Sequence, residues 1–298
     1  MHGGHVMTVE RLSIIGIGLI GGSLAAALKQ GRAPPRIVAC DCDHNTLEKA
    51  RRLGLTDAGH TEPEHAVAGS QLVVLAVPPS AMPGVLRSLA TRLPADCILT
   101  DVASVKGQVV ELAARSLGEA VARFVPGHPL AGTERSGIEA ARADLFRGRR
   151  VILTPTPQTD LQALQEVRKL WEGLGAVVDE MEAAAHDRIL AATSHLPHVL
   201  AYSLVRMVLE QEGQGSLLRH AASGFADTTR IAASDPCLWR DIFFANQSAL
   251  LAAIDAFSAR LAELRSVIEA GDDAETLALL RSAKQARDGL AAARGERA

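Results

Sequence analysis

Ile14-Ile15-Gly16-Ile17-Gly18-Leu19-Ile20-Gly21-Gly22-Ser23 lies between an apolar run and an Ala/Leu-rich helical pattern, and its reading decides the fold. Gly16, Gly18 and Gly21 keep the G-x-G-x-x-G spacing of a strand, tight turn and helix. Gly16 permits the turn, and Gly18 lets the backbone approach a pyrophosphate. Gly21 lets the helix pack closely, so that phosphates meet its free N–H groups and the positive end of its dipole. Glycines also mark ordinary turns, and the spacing alone is weak. The context strengthens it. Ile20 opens the helical pattern, and Asp41 lies twenty residues past Gly21, closing a second apolar run, Ile37-Val38-Ala39-Cys40. An acidic side chain there accepts from a ribose 2′-hydroxyl and repels a 2′-phosphate, so the loop predicts NAD rather than NADP. Arg51 and Arg52, a helix away, are the residues that could soften that choice.

Outward from the loop, short apolar runs alternate with amphipathic stretches through the first 180 residues. Residues 11–16, 36–41, 71–77, 97–101, 122–125, 150–153 and 176–179 read as strands, and 20–30, 45–53, 80–91, 108–117 and 160–174 as helices. Such alternation predicts an α/β domain over residues 8–180 with a doubly wound, Rossmann-type parallel sheet. After Glu180 the pattern is almost unbroken helix, roughly 182–211, 216–222, 238–270 and 273–293. Pro197 interrupts the first helix. Asp235 is the expected N-cap and Pro236 the first helical residue of the third. We therefore expect an all-α domain over residues 181–298. A helix of ~30 residues exceeds the ordinary globular length and points to an interlocked homodimer, with a bundle inside one chain as the alternative.

Composition narrows the class. Of 298 residues, 48% are apolar and 22% charged, within the range of a globular protein. The net charge of −3 comes from interspersed charges, and only 3% of residues are aromatic. Neither a basic stripe nor a base-stacking surface is present, so no nucleic acid is expected. Arg147, Arg149 and Arg150 form one short basic cluster, read as a solvated rim or a phosphate neighbour. No apolar run free of glycine and charge approaches the ~20 residues of a membrane span, and Met1-His2-Gly3-Gly4-His5 has no signal-peptide pattern. Cys40, Cys42, Cys97 and Cys237 show no disulfide framework, and we read them as reduced core or near-core thiols in a cytoplasmic protein.

In an open α/β sheet ligands bind beyond the carboxyl ends of the strands, so the residues after each run are the candidates. The run ending at Val77 leads into Pro78-Pro79-Ser80, a stiff turn suited to lining a nicotinamide ribose. Asp101-Val102-Ala103-Ser104-Val105-Lys106 follows another strand, and Gly127-His128-Pro129-Leu130-Ala131-Gly132-Thr133-Glu134 a third. His128 is the main candidate: a loop flanked by proline and glycine would hold it rigidly, exposed to a cleft and titrating near neutrality. A backbone-bonded loop imidazole is the plainer alternative. Ser104 supplies a hydroxyl that could share a substrate oxygen with His128, or could simply N-cap the next helix. In the helical half, Ser194-His195-Leu196-Pro197-His198 sets two histidines three apart. Such spacing can bind metal, but no third ligand of matching logic is near, and no metal is expected. Arg230, in Gly224-Phe225-Ala226-Asp227-Thr228-Thr229-Arg230-Ile231, reads as a buried arginine awaiting an oxyanion, or paired with Asp227.

Taken together, these stretches resemble the prephenate/arogenate dehydrogenase family of tyrosine biosynthesis. The resemblance runs from Arg11 to about Val267 through the glycine loop, the 101–106, 127–132 and 194–198 blocks and the 224–232 block, in that order. It implies oxidative decarboxylation of a cyclohexadienol by NAD⁺: hydride leaves the hydroxyl-bearing ring carbon, CO₂ departs and the ring becomes aromatic. That chemistry needs a base at the hydroxyl. By the resemblance His128 accepts the hydroxyl proton, Ser104 bonds the same hydroxyl, and Arg230 holds a substrate carboxylate. His198 and Ser194 meet the substrate from the helical side. Glu134 stands beside the substrate side chain, and Trp239 borders the pocket from this chain or from a partner subunit. Neither an appended regulatory module nor a mutase-like segment before Arg11 is expected, so any tyrosine inhibition would be competitive at the substrate site. Prephenate and arogenate, keto and amino at the side chain, are both open.

Two rival readings share parts of this pattern. A β-hydroxyacid dehydrogenase also joins a nucleotide domain to a helical one, but it relies on a lysine after the sheet, and residues 182–211 contain none. An NAD-binding redox sensor would not need His128, Ser104 and Arg230 on cleft loops.

Overall fold

The computed structural model describes residues 9–133, 135–210 and 220–294. The first 125 residues run β1 (Arg11–Ile15), α1 (Leu19–Lys29), β2 (Arg36–Cys40), α2 (His44–Arg52), β3 (Ala58–His60), α3 (Pro63–Ala66), β4 (Leu72–Leu75), α4 (Met82–Leu89), β5 (Ile98–Asp101), α5 (Gly107–Ser116) and β6 (Phe124–Val125). The strands form one parallel sheet in the order β3-β2-β1-β4-β5-β6, the doubly wound Rossmann arrangement. Strand order reverses between β1 and β4, and the glycine loop leaves the sheet at that crevice. Alternation along each strand fills both faces: Leu12, Ile14, Leu72 and Val74 pack on one side, Ile15, Val73 and Leu75 on the other. The edge strand β3 has no signature in the sequence, because Ala58-Gly59-His60 contains no apolar run.

The last two expected strands do not extend this sheet. β7 (Gly127–Pro129), β8 (Arg150–Leu153), α6 (Leu161–Gly173) and β9 (Val177–Glu180) follow, and β7-β8-β9 form a separate sheet. β7 pairs antiparallel with β8, and β8 pairs parallel with β9. The change happens at Pro126. Lacking an N–H, proline cannot continue the β5–β6 ladder, and its carbonyl accepts instead from the Thr154 N–H at 2.9 Å. His128, expected on an exposed loop, therefore lies in β7 and is only 9% exposed.

The helical region begins with α7 (Ala183–Leu190), passes through a π turn at Ala191–His195 and continues as α8 (Leu196–Glu210). Pro197 cannot donate to the Thr193 carbonyl four residues back, and the wider turn sits where that bond is missing. Most of the expected helix over 216–222 lies outside the described residues; α9 (Ser223–Thr229) starts after it and ends in a 3₁₀ turn, Arg230–Ala233. Asp235 caps α10 (Pro236–Ala245), accepting from the Cys237 and Leu238 N–H groups, with Pro236 first in the helix. The long helix expected over 238–270 is two helices. It breaks at Asn246, whose buried side chain is committed elsewhere, and resumes as α11 (Gln247–Ala270), followed by α12 (Asp273–Arg294).

Contacts divide the chain into two compact units, Met1–Gln247 and Ser248–Ala298. In the second, Leu251, Leu261, Ile268, Leu277 and Leu280 are exposed. Among the described residues, no single helix is long and apolar enough to cross a membrane. Cys40 and Cys97 are buried, which pushes both thiols up to about 12, whereas Cys42 and Cys237 are exposed rather than near the core.

One ion pair locks the two sheets together. Lys106 and Asp101 are fully buried and in contact. The Lys106 ammonium also donates to the Gly127 carbonyl at 2.6 Å. Asp101 accepts from the Ala103 N–H at 2.9 Å and the Gly127 N–H at 3.1 Å. Both charges are thus solvated by backbone, the condition under which a buried pair is tolerated. Removing one partner strands the other. Lys106→Met is expected to lower the unfolding free energy by about 3–5 kcal/mol. The double variant Asp101→Asn/Lys106→Met should recover part of that loss, and urea midpoints measure both.

Candidate active site

His128 lies next to the clamped Gly127, so the ion pair fixes where its backbone stands. Its ring is held from the helical side. His128 Nδ1 is 2.9 Å from His186 Nε2, and His186 Nδ1 is 2.7 Å from Asp187 Oδ1. The two imidazoles meet edge to face, 5.1 Å between centroids. Asp187 in turn accepts from the Lys106 and Gly107 N–H groups, each at 2.8 Å. It thereby caps α5 from a helix distant in sequence, and Ser104 does not fill the capping role. The Ser104 hydroxyl has no protein partner among the described residues and sits on the loop joining Asp101 to Lys106.

Electrostatics keep His128 neutral. Burial, followed by the neighbouring His186, Lys106 and His195, pushes its pKa well below 6.5. With Nδ1 engaged, Nε2 is the ring nitrogen left without a partner among the described residues. Burial works against the Asp187 carboxylate, but the His186 ring and the two backbone N–H groups outweigh it and hold its pKa below the usual range. Burial also lowers the Lys106 pKa, opposed by Asp101 and Asp187.

A second pair extends this cluster. Asn246 Nδ2 donates to the Asp187 carbonyl at 2.8 Å and lies 3.1 Å from His195 Nδ1. The carbonyl identifies Nδ2 as the amide nitrogen, so His195 Nδ1 accepts and its Nε2 carries the hydrogen. That Nε2 is buried with no partner, and burial takes the His195 pKa down to about 4. His198 stands beyond it, its Nδ1 donating to the Ser194 carbonyl at 2.9 Å. The His198 ring stacks on Trp239 of the same chain, 3.3 Å between centroids, and Trp239 also meets His195 edge-on. Arg230 opens the 3₁₀ turn after α9 and is exposed, not buried as the loop composition suggested. Its charge adds to burial in lowering the His198 pKa. Glu134 lies outside the described residues.

The sequence pointed to His128, Ser104, Arg230, His198, Ser194, Glu134 and Trp239, but gave no role to Lys106, His186, Asp187 or Asn246 and considered His195 only as a metal ligand. Lys106 is the one of these with a visible signal, lying in the same block as Asp101. As a fully buried, doubly bonded ammonium, it is not the free lysine of the rival dehydrogenase class. Among the described residues, no group of three or more His, Cys, Asp or Glu could hold a metal. The cavity of about 620 Å³ beside α2 and β3, lined by His44, Arg51 and His60 among others, contains none of the residues around His128.

The glycine loop between β1 and α1 has the turn geometry that its spacing predicts. Gly16 has φ +93, and a Cβ there would collide with the Ala76 carbonyl and press on Val77. A Cβ at Gly21 would collide with the Gly16 carbonyl. At Gly18 a Cβ meets nothing within 4 Å, and no side chain caps the start of α1. Open space over Gly18 beside an uncapped helix start fits a dinucleotide's pyrophosphate. Asp41 stands at the edge of the loop, accepting from the Ile17 N–H at 3.1 Å and the Asp43 N–H at 3.0 Å. Its carboxylate shapes the loop and keeps lone pairs for a ribose hydroxyl. Arg51 is paired with Glu48 at 3.2 Å. Ile20 is half-buried against the core in α1, and Pro78 is exposed just after β4.

Residues 24–180 match the family described as prephenate dehydrogenase, nucleotide-binding domain, and residues 182–282 the prephenate dehydrogenase dimerization domain. The cyclohexadienyl dehydrogenase of Zymomonas mobilis is 40% identical over 284 residues, 94% of this chain and 96% of that one. The prephenate dehydrogenase of Aquifex aeolicus, solved in complex with hydroxyphenyl propionate and NAD⁺, superposes with a TM-score of 0.90. It is 35% identical and covers 96% of this chain and 100% of its own. The arogenate dehydrogenase of Synechocystis has a TM-score of 0.80 at 30% identity, over 94% of this chain and 99% of its own.

The glycines separate ligand effects from fold effects. Gly18→Ala is expected to raise the KM for NAD⁺ by about tenfold, ~1.4 kcal/mol, with an unchanged unfolding midpoint. Gly21→Ala should instead destabilise the protein by about 1–3 kcal/mol through overpacking. Cofactor kinetics and thermal melts on both variants check the contrast.

Proposed function

The chain belongs to the prephenate dehydrogenase family, and we propose that His128 is the base with which it oxidises and decarboxylates prephenate, arogenate or both. The enzyme is an NAD-dependent oxidoreductase. The supporting observation is a buried imidazole, neutral at pH 7, with one nitrogen engaged and the other free. NAD⁺, bound on the glycine loop and beside Asp41, Val77 and Pro78, supplies the hydride acceptor for the hydroxyl-bearing ring carbon.

His128 Nε2 takes the hydroxyl proton as that carbon becomes a carbonyl. The C–C bond to the ring carboxylate then breaks, its electrons aromatise the ring, and the ring oxygen recovers the proton from His128. A positioned base of this kind contributes ~10²–10⁴-fold. The low pKa keeps the imidazole ready to accept, and a dicarboxylate substrate arriving beside it raises its basicity when needed. Ser104 bonds the same hydroxyl. Arg230, exposed at its turn, holds a substrate carboxylate with a charge-assisted bond worth ~1.5–3 kcal/mol. His198, oriented by the Ser194 carbonyl, meets the substrate from the helical side together with the Ser194 hydroxyl, and Trp239 borders them. A carboxylate at Glu134 would favour the ammonium of arogenate over the keto group of prephenate. Tyrosine, sharing that side chain and ring, competes for the same place.

We place the enzyme in the cytoplasm, a reading supported by its free exposed thiols Cys42 and Cys237. It forms a homodimer through the C-terminal helices, supported by the exposed Leu261, Ile268 and Leu280 in a region matching a dimerization domain.

His128→Asn is expected to leave the KM for prephenate and arogenate within about threefold and to lower kcat by at least ~10²-fold; normal turnover would remove His128 from the role. Because activity requires the neutral ring and its pKa lies below 6.5, kcat/KM of the natural enzyme should fall only as pH drops below 6.5. An acid limb above pH 7 contradicts this. Run with both substrates, the same assay names the preferred one. Light scattering should give the mass of a dimer for the natural chain, and of a monomer for Leu261→Glu/Ile268→Glu.

A further inference from the structure

We propose that His186 and Asp187 are positioning residues for the reaction, holding His128 in the tautomer with its hydrogen on Nδ1. The inference rests on His128 being the base. Asp187 is a carboxylate and can only accept, so the His186 nitrogen 2.7 Å from it, Nδ1, must carry hydrogen. A neutral His186 then presents a lone pair at Nε2. His128 Nδ1, 2.9 Å away, supplies the hydrogen of that bond. The lone pair of His128 is thereby fixed at Nε2, the nitrogen with no hydrogen-bond partner among the described residues. Which ring nitrogen carries hydrogen is set by the bond the other one makes, and here the whole chain of bonds runs in one direction.

The chain is rigid from end to end. Asp187 is fastened by two N–H groups at the start of α5, and its carbonyl by Asn246. His186 is fully buried. Capping α5 needs only the carboxylate, and nothing in that task requires an imidazole reaching on to His128. The Lys106 ammonium and His195, the other charged or titratable groups acting on His128, both disfavour a second proton on it and so support the neutral ring.

The test compares His186→Gln with His186→Leu in the full-length enzyme. The two side chains have similar volume, but only the glutamine carbonyl can accept from His128 Nδ1. His186→Leu is expected to lower kcat by about 100-fold, with the KM for prephenate and for NAD⁺ within about threefold. His186→Gln should stay within about tenfold of the natural enzyme. Equal losses in the two variants, or losses confined to KM, overturn the proposal. Should either variant fail to fold, ¹⁵N chemical shifts of the histidine-labelled natural enzyme decide directly, with the His128 signals assigned by their absence in His128→Asn. Hydrogen on His128 Nδ1 is the expected result, and hydrogen on Nε2 overturns the proposal. Normal turnover by His128→Asn overturns the role of the base itself, whereas an inactive His128→Asn with matching glutamine and leucine variants overturns this inference alone.

Discussion

A single buried ion pair carries the architecture of the site. Lys106 and Asp101 have no solvent to share their charge, so the free energy of burying them is offset only by the contacts they make with each other and with the backbone. Those backbone contacts go to Gly127 from both sides: its carbonyl accepts from Lys106 and its N–H donates to Asp101. The residue before His128 is therefore pinned to the end of β5. The same ammonium lies close enough to His128 to disfavour a proton there. The same ion pair thus fixes the backbone beside His128 and adds to burial and His186 in keeping its ring neutral.

The two helix starts facing the chemistry are treated in opposite ways. At α5 the N–H groups of Lys106 and Gly107 are satisfied by Asp187, and the helix end is closed. At α1 no side chain caps the helix, and the space over Gly18 is open. Free backbone donors at the second helix suit an anionic cofactor, while the closed first helix turns its dipole inward to stabilise a protein carboxylate. That carboxylate then orients an imidazole pair. The division of labour follows from which side chains reach each helix start.

The helical half contributes by breaking its own regularity. The π turn at Ala191–His195 precedes Pro197, and the interruption at Asn246 frees an amide to bind the Asp187 carbonyl and face His195.

Much of this was legible in the sequence. The alternation of apolar runs with amphipathic stretches determined the parallel sheet, and the G-x-G-x-x-G spacing with Asp41 the nucleotide loop, because backbone sterics at Gly16 and Gly21 are local matters of φ and close approach. The Asp235-Pro236 cap and the change from alternating to helical texture were local in the same way. His128 and Ser104 stood out by their place after strands. The tertiary structure alone decided that residues 127–129 form a strand of a second sheet, that 238–270 is broken, and that Arg230 is exposed. It also decided that Lys106, His186, Asp187 and Asn246 join in one network behind the base. The partners in those bonds lie 21 to 81 residues apart in the chain. Periodicity reports which face of a helix or strand is apolar, whereas a buried polar contact depends on which faces meet, and that is fixed only when the elements pack.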